Sequence, residues 1–153
     1  MSFDFTIPEH YERGILSGDD LVFFYYDIGI DHLSGWPSVY EWSSVVNKYR
    51  NDLDVEACDS NLIPEKFEDN KIRFNVSDST DSDNNSEAAA FFRHLRNAFS
   101  HYRISRDKEW FDILDKSKGK ITMRGRVKAD LLKSFCFEFF NFRESLLTSQ
   151  SQI

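Results

Sequence analysis

The stretch Glu87–Tyr102, EAAAFFRHLRNAFSHY, carries the clearest structural signal in the chain. Its apolar residues recur at intervals of three and four, the pattern of a helix that turns one face toward a core. At about 100° per residue, Arg93, His94 and Asn97 fall on the opposite arc and Arg96 borders it. We therefore predict an amphipathic helix whose apolar stripe consists of Ala88, Phe91, Phe92, Leu95, Ala98, Phe99 and Tyr102.

Three residues within this helix are candidate catalytic residues: Arg96, Asn97 and His101. Residues five positions apart are separated by roughly 140° around a helix axis, and Asn97 lies between the other two in angle. A single isolated helix cannot bring Arg96 and His101 onto one small group. A second helix, from the same chain or from a symmetry mate, would have to form the other wall of a groove.

The charge around this motif favours an anion as ligand. From Arg93 to Arg106 the chain has six basic or histidine residues and no acidic residue, whereas a solvated face usually mixes both signs. Residues 1–85 hold six Lys/Arg and eighteen Asp/Glu, a net charge of −12, and residues 86–153 hold thirteen and eight, a net charge of +5. This acidic chain is unsuited to wrapping duplex DNA; a short RNA contact or a protein partner fits better.

The pattern Arg-Asn-x-x-x-His resembles the motif of the HEPN superfamily, in which a His follows an Arg after four to six residues. The polar residue that usually follows the Arg is present as Asn97. HEPN proteins are small all-helical domains, and many are metal-independent endoribonucleases. A four-helix pattern over most of the chain, a Phe-rich helix after the motif and the chain length of 153 residues agree with this resemblance.

The resemblance implies a two-fold homodimer in which the motif helices face each other across a composite site. His101 would act as general base or acid, Arg96 would hold the scissile phosphate, and Asn97 would orient either of them. The products would be a 2′,3′-cyclic phosphate and a 5′-hydroxyl, with no metal or cofactor. Arg93 and Arg103 would position phosphates, and His94, mainly interpreted as a surface histidine, could add an RNA contact.

A toxin or defence role, with an antitoxin or a nucleotidyltransferase as partner, also follows from the resemblance. Some toxin members carry a modified Tyr two residues after the His, but here Tyr102 follows His101 directly and residue 103 is Arg. That departure favours core packing for Tyr102. The alternatives are a non-catalytic HEPN dimer that binds RNA, a nucleotide or a protein, and a helical structural or immunity protein that uses its acidic first half.

Composition indicates one domain with a sizeable core, since 41% of residues are hydrophobic and 16% aromatic. No leader pattern and no apolar run near twenty residues occurs, so we expect a soluble cytoplasmic protein without a membrane segment. Cys58 and Cys136 lack neighbours at metal-ligand spacing and are expected to be reduced thiols, with no zinc site.

The remaining elements complete a mainly α prediction, a HEPN-like bundle of four to five helices with a small β-hairpin insertion near 110–124. We predict one domain over 1–147, a mobile acidic loop over 78–86 and a frayed tail over 148–153. The other predicted elements are an opening helix at 8–16, an aromatic stretch at 21–30 that is either helix or strand, a helix from Pro37 to about Ala57, a loop at 61–67 around Pro64, a short extended piece at 71–76, the motif helix capped by Asn84 or Ser86, a hairpin with Gly119 in its turn, and a helix at 127–147.

That last helix is apolar on more than one side. Its main stripe is extended by Phe137 and Phe140, which fall outside the principal face. Helices of this kind are buried between neighbours or lie in an oligomer interface. Both interpretations, a central core helix and a dimer contact, remain open from the sequence.

Overall fold

A computed structural model describes residues 16–29, 37–76 and 87–151, with side chains of the last helix described as far as Asn141. The helices are α1 (Gly18–Val22, continued by a π-helical turn, Phe23–Ile28), α2 (Val39–Tyr49), α3 (Glu87–Ser100) and α4 (Ala129–Ser151), with a 3-10 turn at Ser60–Leu62. The strands are β1 (Asp54–Ala57), β2 (Lys71–Phe74), β3 (Ile104–Asp107), β4 (Trp110–Ser117) and β5 (Lys120–Lys128). The predicted opening helix, the acidic loop and the Asn84 and Ser86 caps lie, wholly or nearly so, outside the described residues.

The five strands form one mixed sheet in the order β1-β2-β5-β4-β3. β1 and β2 are parallel, and every other neighbouring pair is antiparallel. One row of facing residues crosses the whole sheet: Val55, Ile72, Gly125, Ile113 and Ile104. All five are buried. A Cβ at position 125 would lie 2.6 Å from Cγ1 of Ile72, so the middle of this row has room only for glycine.

The helices pack against one face of this sheet through aromatic side chains. The Trp42 ring of α2 lies 5.4–6.2 Å from the rings of Phe74, Phe91, Phe135 and Phe139, which joins α2, β2, α3 and α4. Near the other end of the sheet, Phe24 packs on Phe111 of β4 at 5.1 Å. Burial of this many aromatic rings supplies the main hydrophobic stabilisation of the fold.

The prediction of a mainly α bundle is wrong: the chain has an α/β fold with a five-stranded mixed sheet. The predicted hairpin is confirmed, but it is the centre of the sheet and not an insertion. β1, β2 and β3 have only four residues each, too few for a period-two pattern to stand out from noise. Four-residue strands are stable here because their buried side chains join a core that long-range contacts create.

Several predicted boundaries also need correction. α2 ends at Tyr49, and the apolar stripe that seemed to extend it to Ala57 continues through buried Leu53 into β1. α4 begins at Ala129, since residues 127 and 128 belong to β5. The aromatic stretch at 21–30 is helical through Ile28, and Gly29 follows as a turn. α4 is helical to Ser151, and fraying of the tail stays a prediction.

Other local predictions are confirmed. α2 begins after Ser38, whose hydroxyl accepts from the Glu41 backbone N–H in a capping box. The segment 71–76 is extended over its first four residues as β2. In the hairpin, Lys118 and Gly119 both have positive φ, 52° and 79°, the requirement of a type I′ turn. Among the helices that the structure describes, none has the length and apolarity needed to span a bilayer.

A buried carboxylate ties α1 to the rest of the fold. Asp20 is 0% exposed, and its Oδ1 accepts hydrogen bonds of 2.8 Å from both Arg106 of β3 and Lys133 of α4. Burial raises the pKa of Asp20, but the hydrogen bonds from Lys133 and the Ser17 backbone, with the charges of Lys133 and Arg106, outweigh that effect and lower it below 3.8. The ionised form of Asp20 is therefore the one that the fold stabilises.

Replacing Asp20 with Asn is expected to destabilise the protein by about 1–3 kcal/mol at pH 7, because two cations lose their buried partner. A carboxyl with a lowered folded-state pKa contributes stability above its unfolded pKa and loses it as pH falls through the folded value. The difference between wild type and Asp20→Asn should thus shrink below about pH 4. Urea unfolding of both proteins at several pH values measures this, and a pH-independent difference would contradict it.

Candidate anion-binding face of helix α3

α3 is amphipathic as its sequence predicts. Its buried side chains include Phe91, Leu95 and Ala98, and Phe99 stacks on Phe24 at 5.6 Å. Asn97 and Ser100 are exposed on the other side, and Arg93 and Arg96 are half-buried beside them. The four polar residues form a stripe along the solvent side of the helix, which we call the α3 polar face.

The C-terminal end of α3 determines where His101 lies. The helix ends at Ser100, and His101 occupies the capping position, its backbone N–H donating to the Asn97 carbonyl at 3.0 Å. The Tyr102 and Arg103 N–H groups then donate to Phe99 and Ala98, which is the double hydrogen bond of a Schellman motif. His101 and Asn97 are both exposed and one helical turn apart, so their side chains can reach the same ligand.

Tyr102 does not pack in the core as predicted. It has φ of 59° and is 56% exposed. The prediction extended the helical stripe two residues too far, whereas the chain turns at Tyr102 to enter β3 at Ile104. A left-handed conformation, usually taken by Gly or Asn, closes the helix here despite a bulky side chain.

Two arginines on the α3 polar face carry unfavourable electrostatics. Arg93 and Arg96 are three residues apart and thus neighbours on the helix. Burial and the nearby charge of Arg93 both lower the pKa of Arg96. The Nη2 atom of Arg93 is buried, and no described residue accepts a hydrogen bond from it. A bound anion would relieve both features, since it would accept from Arg93 and offset the repulsion between the two guanidinium groups.

His94, which we predicted on the surface as an accessory RNA contact, is instead buried, with 2% exposure. Its Nδ1 lies 2.7 Å from Oδ2 of Asp115, and its Nε2 lies 2.6 Å from the carbonyl oxygen of Asn75. Thr122 donates to the same Asp115 oxygen at 3.0 Å. His94 therefore joins α3 to β4 and to the end of β2 and has no access to a ligand.

The sequence held a signal for this buried pair that the pattern of α3 alone did not reveal. Phe111, Ile113 and Asp115 alternate along β4, so the carboxylate stands at a core-facing position of the strand. An acidic side chain in that position needs a polar partner, because burial of an unpaired charge is strongly unfavourable. A histidine on the helix that covers the strand is such a partner.

The uniformly basic stretch from Arg93 to Arg106 is also less basic in three dimensions than in sequence. His94 is paired with Asp115, and Arg106 is paired with Asp20. Arg103 keeps its charge but follows α3 and is half-buried, beside the C-terminal end of the helix. The arginines on the α3 polar face itself are Arg93 and Arg96.

Within the described ranges, no group of three or more His, Cys, Asp or Glu residues is arranged to hold a metal ion. The donors near α3 are guanidinium groups, an amide and an imidazole, a set that suits an anion better than a cation. Cys58 is half-buried and Cys136 is buried, and burial raises the pKa of both thiols. Neither thiol is activated as a nucleophile.

The chain was compared with models of protein families. The family model described as HEPN pEK499 p136 matches residues 38–149, which include α2, all five strands, α3 and most of α4. No curated protein and no solved structure gives a significant match to the chain.

Proposed function

Since the chain belongs to the HEPN family, we propose that it is a metal-independent endoribonuclease that cleaves RNA at the α3 polar face. Membership supports a nuclease or RNA-related function at the level of the family. One observation carries the proposal further: the half-buried pair Arg93 and Arg96 adjoins the exposed Asn97 and His101. Two arginines that could bind a phosphate and an accessible imidazole thus lie along one helix.

The chemistry follows from what each side chain can do. His101 removes the proton from an RNA 2′-hydroxyl, or a second His101 protonates the departing 5′-oxygen. The 2′-oxygen forms a bond to phosphorus, the bond from phosphorus to the 5′-oxygen breaks, and a 2′,3′-cyclic phosphate and a 5′-hydroxyl result. Arg96 stabilises the charge that builds on the phosphoryl oxygens. Asn97 orients the phosphate or the imidazole by hydrogen bonding.

The active unit in this proposal is a homodimer. Arg96 and His101 project from one helix roughly 140° apart, so one copy of α3 supplies only part of a site. Two copies related by a two-fold axis would place Arg96 of one protomer opposite His101 of the other. A regulating partner, such as an antitoxin, and a toxin or defence role are further parts of the proposal that the same dimer would accommodate.

The test is cleavage of structured and unstructured RNA in excess EDTA, with wild type beside His101→Ala and the product ends analysed. His101→Ala should lower the cleavage rate by about 10²–10⁴-fold, the usual contribution of a general acid or base. The control is Lys66→Gln, an exposed residue of the loop before β2 and outside the α3 polar face, which should cleave as wild type does.

Cyclic-phosphate ends that vanish in His101→Ala alone support the proposal. A folded, dimeric wild type that binds RNA without cutting it would contradict the enzyme and favour a non-catalytic HEPN module. A wild type that neither binds nor cuts RNA would exclude both the endoribonuclease and the RNA-binding module. It would favour a role for the acidic first half of the chain.

A further inference from the structure

The tip of the β4–β5 hairpin is the most basic exposed segment that the structure describes outside α3. Lys116, Lys118 and Lys120 are all exposed, within five residues that include no acid. None of the three forms an ion pair with another described residue. The type I′ turn at Lys118 and Gly119 holds the tip as a short rigid arm. Unpaired like charges held close together are unfavourable unless counterions or a polyanion neutralise them.

The hairpin tip and the α3 polar face lie on the same side of the molecule. β4 runs from the core at Phe111, beneath α3 where Asp115 meets His94, to Lys116 directly beyond that contact. Phe99 of α3 stacks on Phe24, which in turn packs on Phe111, so Phe99 marks the side of α3 from which the strand enters. The strand therefore emerges on the side of α3 that is opposite Phe99.

That side of α3 carries Arg93 and Asn97, which lie about 120° and about 160° around the helix from Phe99. At about 3.3 Å per residue, Lys118 lies roughly 10 Å along the strand from Asp115. Of the polar-face residues, Arg93 belongs to the N-terminal half of α3, next to the buried His94 contact. Basic side chains thus extend from the α3 polar face, by way of Arg93, to the three lysines of the hairpin tip.

We infer that the hairpin tip is a second RNA contact, which holds the phosphates of the single strand flanking the cleaved bond. The inference rests on the proposed function, because it extends the site on α3 outward. Lysine contacts to phosphate carry no base information, so this surface adds affinity and sets the direction of the strand without selecting a sequence. RNA is favoured over an acidic protein because one flexible strand can reach both Arg93 and the lysines.

The experiment compares two triple variants in the His101→Ala background, so that RNA stays intact. The hairpin variant is Lys116→Gln, Lys118→Gln and Lys120→Gln. The control variant, Lys66→Gln, Lys108→Gln and Lys128→Gln, removes the same charge from exposed positions away from the tip. Fluorescence anisotropy measures the binding of labelled RNA oligonucleotides of about four and about twelve nucleotides over a series of salt concentrations.

The hairpin variant should bind the longer oligonucleotide at least about 10-fold more weakly than the control variant at low salt, and bind the shorter one equally well. Its slope of log affinity against log salt should be smaller by about 2, the loss of three phosphate contacts on a single strand. Equal binding of the longer RNA by both variants overturns the inference and leaves the proposed function standing. If the parent protein binds neither RNA, the proposed function itself fails; binding of polyglutamate alone, lost in the hairpin variant, would assign the tip to an acidic protein.

Discussion

Replacing His94 with Leu is expected to destabilise the protein by about 3–5 kcal/mol, because it removes the closest hydrogen-bond partner of the buried Asp115 carboxylate. Asp115 is 3% exposed, and one of its carboxylate oxygens already lacks a hydrogen-bond partner among the described residues. Without His94, Thr122 alone would donate to this carboxylate. Urea unfolding followed by far-UV circular dichroism measures the loss.

A double variant separates the pair from simple loss of packing. Replacement of a whole buried ion pair by apolar residues is often close to neutral, so His94→Leu with Asp115→Leu should be more stable than the sum of the single changes predicts. The coupling between the two positions is the quantity of interest. A His94→Leu protein within about 0.5 kcal/mol of wild type would contradict the stabilising role that we assign to the pair.

Replacing Arg96 with Met is expected to separate function from stability. Cleavage should fall by about 10²–10³-fold, the usual loss when one donor to the transition state is removed. Folding should be as stable as in the wild type or slightly more so, because Met keeps the apolar stem and removes a charge that burial and Arg93 disfavour. Groups arranged for function are often unfavourable for folding in this way.

Thermal unfolding and single-turnover cleavage of the same Arg96→Met preparation test both parts. Arg93→Met is the matched control, since it removes the neighbouring charge and leaves the proposed phosphate contact at Arg96 in place. It should weaken RNA binding more than it slows the cleavage of bound RNA. A marked fall in the unfolding temperature of Arg96→Met, with cleavage unchanged, would contradict the role that we assign to Arg96.

How much the sequence could predict depended on the length of each pattern. Fourteen residues of α3 show several helical turns, and their period identified the core face, the polar face and the motif together. The long strands β4 and β5 with Gly119 between them were equally clear. β1 and β3 were missed and β2 was predicted only as a short extended piece, because four residues do not distinguish a strand from the end of a helix or from a loop.

The candidate site was predictable in part for a related reason. Asn97 and His101 are exposed and close together, as helix geometry indicates. His94 shares the polar arc in a helical projection, and its burial depends on Asp115, which is 21 residues away in sequence. Tyr102 was misplaced because the end of a helix depends on where the chain goes next. Contacts of this range are set by the assembled fold and are invisible to local periodicity.

The contacts that attach α3 to the sheet restrict the mobility of the site. His94 holds the middle of the helix to two strands, and the Schellman turn leads within two residues into β3. A shift of α3 along the sheet would have to break the buried contact between His94 and Asp115. It would also have to separate the edge strand β3 from β4. The backbone that carries the polar face is therefore preorganised, and in the RNA complex that we propose, most of the conformational entropy lost on binding would come from the RNA strand.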